Sequence, residues 1–475
     1  MPTDAEKLDE TPMSTAPPSP SPTWQYRTSG TPTEDIRPSL DGTTALSHIA
    51  SSTAACLTTR SASPAFPEAC PASYLAVAGA FLALFSTFGQ MNAFGTFQAW
   101  YAQHQLSHRE PATIAWIGSV QLWVFFFSGG LIGKLFDSFG PRWIMATGTV
   151  IYVFSIMITS VCTHYYQYLL AQGLLFGLGV GMLFYPSLSS VATYFCRYRA
   201  TALGIAAAGS SLGGVMYPIM LQHLFERYGF AWGVRISGLV SGTLCCIALA
   251  TVTRYTPPPF PNPKHNLFPP PTYVETLKLS FRDARFLFLA AGSCFVALGL
   301  FVPFIYVVDY AHDLASNPRH ADAVIVLAVL NGGGVLGRIA PAILSDAIGR
   351  FNLLAPAAFF SGFLCLVLWL FARTLPILVC FAAAYGFTSG AFISLITPCV
   401  AQISDIRQIG SRIGLLYTVI SVPAVVGAPV AGLLLQASRG SYTYMILFAG
   451  LTLIAGSVCL FVARWKVDPR LKARV

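Results

Sequence analysis

Long apolar runs follow one another along most of this chain. An α-helix needs about 20 apolar residues to cross a bilayer. Runs of that length lie near 73–101, 113–136, 142–162, 165–193, 200–224, 231–253, 286–311, 321–345, 352–372, 375–400, 409–436 and 441–464. The chain is only 10% charged, whereas soluble domains are about 25% charged. The sequence therefore predicts an all-α integral membrane protein with twelve transmembrane helices in two halves of six.

Two long polar segments divide the chain into a tail and two groups of six apolar runs. The first 70 residues are rich in Ser, Thr and Pro, which favours a disordered tail over a packed domain. A second polar, proline-rich segment separates the sixth run from the seventh. The sequence predicts a tail at 1–70, a six-helix half at 71–254, a linker at 255–284, a second half at 285–464 and a basic tail at 465–475.

Lysine and arginine are unevenly distributed over the predicted loops. Cytoplasmic loops of membrane proteins carry an excess of these residues. Of the 24 after residue 70, 17 lie on the side of both tails, five lie in the opposite loops, and Arg235 and Arg338 lie within helices. The bias predicts that both termini are cytoplasmic, and we expect the plasma membrane. This orientation also explains the net charge of +9 without nucleic acid as a partner.

A short polar stretch joins the second run to the third. Asp137 stands at the C-terminal end of a predicted helix, where the helix dipole disfavours a carboxylate. The carboxylate therefore needs a hydrogen-bond donor from outside its own helix. The sequence allows three: Arg142, Lys134 or the N-terminus of another helix. Gly133 allows a neighbouring backbone to come close, and Gly140 permits the turn.

A second copy of this stretch runs from Ala342 to Arg350, between the eighth and ninth runs. Its aspartate, Asp346, follows Asp137 by 346 − 137 = 209 residues, and Gly349 takes the turn position. This offset fits a six-helix repeat plus a linker.

The pattern Gly-x-x-x-Asp-x-x-Gly-x-Arg resembles the loop signature of the major facilitator superfamily. In that superfamily it joins helices 2 and 3, and a weaker copy joins helices 8 and 9. The second copy here has Ala342 for the first glycine, and Arg350 comes one residue early. The resemblance implies a secondary transporter with a midplane site that works by alternating access. It also implies that Asp137 with Arg142, and Asp346 with Arg350, form latches that are made in one state and broken in the other.

Several stretches are similar to the fungal branch of the monocarboxylate porter family. They are 116–121, 199–214, 331–338 and 410–414, and the likeness extends over nearly all of 73–464. This resemblance implies a carrier of small organic acids or related metabolites, with protons as a possible co-substrate.

Two positions depart from the proton-coupled members of that family. Asn92 stands where they carry a lysine in helix 1, and Gly334 stands where they carry an aspartate in helix 8. The helix 8 arginine, Arg338, is kept. The departures favour a neutral or weakly acidic metabolite over lactate-like symport.

Charged and polar residues within the runs are the candidate substrate or coupling residues. A charge inside a membrane helix is costly and usually faces a cavity or a partner. Arg338 has the guanidinium geometry that suits a carboxylate; alternatively it extends to the helix end or pairs with Asp346. Asp309 could pair with Arg338, carry a proton or lie at a solvated helix end. The uncharged candidates are Asn92, Gln121, Tyr185 and Asn331, whereas Phe125-Phe126-Phe127 is expected to face lipid.

The residues favour a transporter over other functional classes. Nucleotide-binding loops, catalytic constellations and metal-spaced Cys/His clusters are not recognisable, so we expect neither an enzyme nor a cofactor. We expect a protein that transports small organic molecules and functions as a monomer in the lipid bilayer. Export of a secondary metabolite is the alternative to carboxylate import. A non-transporting nutrient receptor that signals through residues 1–70 is the alternative from another class.

Overall fold

A bundle of long helices accounts for nearly all of the chain that the structure describes. The computed structural model describes residues 66–256, 273–314 and 320–470. The predicted tail at 1–70, the middle of the predicted linker and the last five residues lie largely outside these ranges. Within the described ranges, ten helices are long and apolar enough to cross a membrane, and a bent pair at 113–139 makes eleven.

One of the ten holds two crossings. The helix Arg199–Thr251 has 53 residues, which at 1.5 Å per residue is roughly 80 Å, far more than the bilayer thickness of about 30 Å. Gly229 interrupts it with a φ of 75°, a conformation that glycine adopts without steric cost. The chain therefore crosses the membrane twelve times, as the sequence predicted.

We number the crossings as helices 1 to 12. In the first set of six, helix 1 is Pro71–Asn92 with Phe94–Gln103, helix 2 is Pro111–Phe127 with Gly129–Phe139, helix 3 is Pro141–Thr159, helix 4 is Tyr165–Tyr194, and helices 5 and 6 are 199–228 and 230–251. In the second set, helix 7 is Ala284–Leu300 with Val302–Leu314, helix 8 is His320–Ile348, and helix 9 is Arg350–Leu364 with Cys365–Trp369. Helix 10 is Leu375–Gln402, helix 11 is Ile409–Ala437 and helix 12 is Thr443–Val467. A short helix, Tyr273–Arg282, lies in the predicted linker.

Tight hairpins join helices 2 and 3 and helices 8 and 9. Gly140 and Gly349 have φ angles of 76° and 118°, which only glycine adopts readily. In the first hairpin Pro141 then begins helix 3, because its fixed φ suits the first helical position and its missing N–H costs nothing there. The two polar stretches thus form the turns that the sequence predicted.

The helices pack in two similar arrangements. Helix 1 packs on helices 5 and 6, and helix 7 packs in the same way on helices 11 and 12. Helix 2 contacts helix 11, and helix 5 contacts helix 8. These two cross-contacts join the first six crossings to the last six, and they contain the candidate site.

Candidate functional site

The Asp137 carboxylate lies on the N-terminus of helix 11. It accepts hydrogen bonds from the backbone N–H groups of Gly410 (3.0 Å) and Ser411 (2.7 Å), and from the Ser411 hydroxyl. The first N–H groups of a helix lack partners within the helix, and the positive end of the helix dipole attracts an anion. Of the three donors that the sequence left open, the structure thus uses the start of another helix.

Asp346 makes the equivalent contact between helices 8 and 5. Its carboxylate accepts hydrogen bonds from the N–H groups of Ala200 (3.1 Å) and Thr201 (2.8 Å), and from the Thr201 hydroxyl (2.8 Å). The two repeated motifs therefore hold their aspartates in one way, each at the start of a helix in the other set of six.

The two motif arginines are placed differently. Arg350 pairs with Asp346 (3.1 Å) and donates to the Cys196 carbonyl oxygen (2.7 Å). Arg142 is exposed, and no ion pair or hydrogen bond joins its side chain to Asp137. The structure thus brings together the second predicted pair but not the first.

Arg254 takes up the position beside Asp137. Its guanidinium donates to the backbone carbonyl oxygens of Asp137 (2.9 Å) and Phe136 (3.2 Å), which end helix 2. A cation is favourable at the C-terminus of a helix. Sequence reasoning missed Arg254 because it lies 117 residues away in the chain.

The sequence left open a helix start as the donor, but it did not identify which helix starts bind the two aspartates. The one sequence signal of these donors is a small residue followed by a hydroxyl residue at a helix start, Gly410-Ser411 and Ala200-Thr201. Hydroxyl and small residues are common at helix starts for reasons of local capping, so this signal does not indicate a distant partner.

Glycines bring helices 2 and 11 into backbone contact. A Cβ on Gly133 would collide with the carbonyl oxygen of Gly410, and a Cβ on Gly414 would collide with that of Gly129. In the other cross-contact, a Cβ on Gly204 of helix 5 would collide with the Arg338 carbonyl oxygen of helix 8. Small residues allow this close approach, so the contacts depend on the absence of side chains there.

Arg338 is buried where helix 8 meets helix 5. Its side chain is 7% exposed, and one terminal nitrogen, Nη1, donates to the Ala207 carbonyl oxygen (3.0 Å) and to the Ser210 hydroxyl. Its Nε is buried without a partner. The side chain pairs with neither Asp346 nor Asp309, which were the alternatives. Part of its hydrogen-bonding capacity therefore stays unused by the described residues.

Two amides converge on Gly214 of helix 5, two turns of helix 8 away from this arginine. A Cβ on Gly214 of helix 5 would lie 2.8 Å from the Asn92 amide nitrogen of helix 1 and 2.9 Å from the Asn331 amide oxygen of helix 8. Asn92 is exposed in mid-span, and a polar group at that depth is tolerated where it faces a water-filled cavity or protein. Asn331 precedes Arg338 by 338 − 331 = 7 residues, two turns along one helix face.

The remaining candidates lie elsewhere. Tyr185 is fully buried and donates to the Phe125 carbonyl oxygen (3.0 Å), so its hydroxyl has a structural partner. Gln121 is 2% exposed and its amide makes no hydrogen bond to the described residues. Asp309 is exposed near the far end of helix 7, and the structure does not bring it to Arg338.

The expectation that residues 125–127 face lipid is wrong for two of the three. Phe125 and Phe126 are 1% and 6% exposed, and only Phe127 is exposed. Phe126 stacks on Tyr417 of helix 11 with ring centroids 5.9 Å apart. Phe125 stacks on Tyr185 of helix 4 with ring centroids 5.5 Å apart, so contacts with other helices hold both rings inside the bundle.

Residues 79–397 match the family model described as Major Facilitator Superfamily. The chain is 37% identical over 398 residues to MFS transporter asaE of Aspergillus flavus, covering 84% of this chain and 88% of the relative. It is 35% identical over 411 residues to the Agnestins efflux protein AgnL12 of Paecilomyces divaricatus, covering 86% and 91%. It is 32% identical over 402 residues to the Fujikurins efflux protein of Gibberella fujikuroi, covering 84% and 83%.

Solved structures have the same fold. The Escherichia coli fucose:proton symporter FucP superposes with a TM-score of 0.64 at 15% identity, covering 83% of this chain and 98% of that chain. A second structure of FucP, described as in the outward conformation, gives a TM-score of 0.63 at 16% identity, covering 83% and 98%.

Proposed function

Because this chain belongs to the Major Facilitator Superfamily, and is thus a multi-pass membrane transporter, we propose that it exports a small organic metabolite by alternating access. The observation that carries this proposal is the pair of carboxylate contacts that join helix 2 to helix 11 and helix 5 to helix 8. Both lie at the same end of the bundle, where helices 2 and 8 end and helices 5 and 11 begin. Making and breaking them would close and open that end.

The distribution of lysine and arginine supports one orientation of the protein in the membrane. With both termini in the cytoplasm, the end closed by Asp137 and Asp346 is the cytoplasmic end. The structure then represents the state that is closed toward the cytoplasm. Release of both aspartates would admit a substrate from inside the cell, and we place this exporter in the plasma membrane as a monomer.

Arg338, Asn92 and Asn331 are the proposed substrate contacts. The guanidinium has unused donors, and a planar donor of this kind binds carboxylate or other acidic oxygen groups. An amide can both donate and accept hydrogen bonds; the Asn331 nitrogen donates to the Leu327 carbonyl oxygen (3.1 Å), which leaves its second N–H and its oxygen for a substrate. This combination supports a neutral or weakly acidic metabolite, and the efflux names of two relatives support export.

Monocarboxylate transport is the second candidate, and Arg338 favours it. It is the arginine that the monocarboxylate porters carry in helix 8. Asn92 and Gly334 replace the lysine and aspartate of the proton-coupled members, so a monocarboxylate would have to be carried without them.

Metabolite profiling of the source organism tests the proposal. Deleting the gene should raise at least one metabolite inside the cells and lower it in the medium. The intact chain should reverse this change, whereas Arg338→Ala should restore roughly one tenth of the flux or less, because a charged hydrogen bond is worth about 1.5–3 kcal/mol. Arg227→Ala is the matched control, since Arg227 is exposed at the opposite end of the bundle.

Two outcomes would contradict these assignments. Unchanged intracellular metabolites, together with uptake of radiolabelled monocarboxylates by the intact chain, would replace export by carboxylate import. Full restoration by Arg338→Ala would remove Arg338 from the substrate path. Protein amounts at the membrane must be equal in all strains.

A further inference from the structure

The short helix Tyr273–Arg282 exposes an unusual face. Val274 and Phe281 are 54% and 44% exposed, and Lys278 and Arg282 are exposed beside them. Their spacing of i, i+4, i+7 and i+8 places the four side chains within about 100° around the helix axis. Apolar and basic side chains thus form one continuous stripe.

The opposite face of this helix combines buried hydroxyl residues with Leu277, which is partly buried and packs against the core. Thr276 and Ser280 are 3% and 1% exposed, and Asp283 directly after the helix is 2% exposed. A helix at a water-exposed protein surface directs its apolar residues inward, whereas Val274 and Phe281 point away from the core beside two basic residues. An apolar surrounding outside the protein would cover them.

The position of the helix supplies that surrounding. It ends at Arg282, and helix 7 begins two residues later at Ala284, so the stripe lies next to the end of a membrane crossing. Helices at the bilayer surface bury apolar side chains at the boundary of the acyl chains and direct lysine and arginine to the headgroups. A basic residue close to an anionic leaflet is attracted to it.

We propose that the helix Tyr273–Arg282 binds anionic phospholipids of the leaflet that faces the linker. Val274 and Phe281 insert among the acyl chains, and Lys278 and Arg282 contact the anionic headgroups. Glu275 lies at the edge of the stripe, which leaves the exposed face with one net positive charge. That charge favours anionic over zwitterionic lipid.

The bound lipid would also act on the transport cycle, which rests on the proposed function. Asp283 accepts from the N–H of Arg285 (3.1 Å) and pairs with Arg412 of helix 11 (3.0 Å). Arg412 directly follows Ser411, whose N–H and hydroxyl hold Asp137. A lipid-anchored helix therefore fixes the start of helix 11, where the aspartate of helix 2 docks.

Lipid binding is measured without any transported substrate. The full-length protein is placed in nanodiscs of phosphatidylcholine with or without phosphatidylserine, and retained lipid is counted by native mass spectrometry. The intact chain should enrich phosphatidylserine, and Lys278→Gln with Arg282→Gln should weaken this preference roughly 30-fold, the effect of two surface basic residues. Arg227→Gln with Arg439→Gln, two exposed arginines at the other end, should leave it unchanged.

Insertion of the stripe is measured separately. Phe281→Trp should add tryptophan fluorescence that brominated acyl chains quench and aqueous acrylamide does not. Equal phosphatidylserine enrichment in the Lys278/Arg282 variant, or acrylamide quenching of the new tryptophan, would overturn the proposal. Lipid binding that persists without metabolite export would refute the proposed function and leave the lipid site standing.

Discussion

At the scale of single residues, the two motif aspartates occupy positions that are unfavourable in their own helices and favourable in the assembled bundle. Each carboxylate would be repelled by the C-terminal end of the helix that carries it. Each is instead bonded to two N–H groups and a hydroxyl at the start of another helix. Hydrogen bonds to a charged group contribute about 1.5–3 kcal/mol, so these contacts stabilise the packing of helix 2 on helix 11 and of helix 8 on helix 5.

Replacing Asp137 by Asn should therefore favour the state in which this end is open. The amide keeps the shape of the carboxylate but removes the charge, and its NH2 group cannot accept from the N–H groups of helix 11. We expect transport to fall roughly tenfold, as for the loss of one charged hydrogen bond, with unchanged surface expression. Arg142→Ala is the control and should have a small effect, because Arg142 is exposed. An equal loss for Arg142→Ala would show that Arg142 acts in the state not seen here.

The buried pair of Asp283 and Arg412 predicts a particular pH dependence. Burial alone would raise the pKa of Asp283, but its hydrogen bonds and charge interactions with Arg285 and Arg412 outweigh burial and hold that pKa below its usual range. A lowered pKa in the folded state stabilises the protein above the unfolded value of about 3.9, and this stabilisation is lost as the pH falls through the folded value.

We expect Asp283→Asn to lower the stability by about 3 kcal/mol at neutral pH, because it leaves the Arg412 charge buried. The difference from the unchanged chain should be constant between about pH 5 and 8 and disappear only in stronger acid. Thermal unfolding in detergent at several pH values measures it. A difference that changes between those pH values would show that Asp283 is protonated in the folded protein near neutrality.

At the scale of helices, the two cross-contacts depend on glycines that face backbone atoms. Gly133 faces the Gly410 carbonyl oxygen, and Gly414 faces Gly129. A backbone atom cannot move aside as a flexible side chain can, so a methyl group at these positions must separate the helices. The aspartate contact at the end of helix 2 requires the same approach, because its donors Gly410 and Ser411 lie beside Gly133.

Gly133→Ala should therefore reduce transport at least as much as Asp137→Asn. The matched control is Gly332→Ala in helix 8, where an added Cβ has no atom within 4 Å. That change should leave transport intact and stabilise the helix by about 1 kcal/mol, the intrinsic preference for alanine over glycine. Flux assays at equal protein level, with gel filtration to verify folding, compare the two. Normal transport by Gly133→Ala would mean that the two helices need not approach so closely.

At the scale of the whole molecule, twelve crossings place the start of helix 1 and the end of helix 12 on the same side of the membrane. The same side carries both aspartate contacts and the short helix before helix 7. The groups that we propose to control the conformation therefore lie on one side of the membrane. The proposed substrate contacts, Asn92, Asn331 and Arg338, lie deeper in the bundle.

Epitope tags at the two termini test this topology. Both should become accessible to antibody only after the plasma membrane is permeabilised, since the excess of lysine and arginine in the loops of this face predicts that it is cytoplasmic. A tag in the loop around Arg439, which joins helices 11 and 12, should be accessible in intact cells. Accessibility of either terminal tag before permeabilisation would reverse the orientation and make the closed end the outer one.

The sequence by itself determined the class of fold. A chain this apolar has to cross the membrane as helices, because lipid offers no partners for backbone N–H and C=O groups. The number of crossings, the hairpin turns at Gly140 and Gly349, and membership of the superfamily could all be predicted from local patterns. The resemblance to monocarboxylate porters stays a prediction, as do the boundaries of the halves and the roles of the site residues.

Only the tertiary structure decided which groups meet. The donors to Asp137 come from residues 273 and 274 positions away, and they are backbone N–H groups, which every residue except proline possesses. No residue type identifies such a donor, so the sequence suggested Arg142, a nearby charge, as readily as a distant helix start. The inward position of Phe125 and Phe126 likewise depended on the distant helices that pack on them, which a run of apolar residues does not identify. Local periodicity fixes what lies in the membrane, whereas the contacts between distant helices fix what each residue does there.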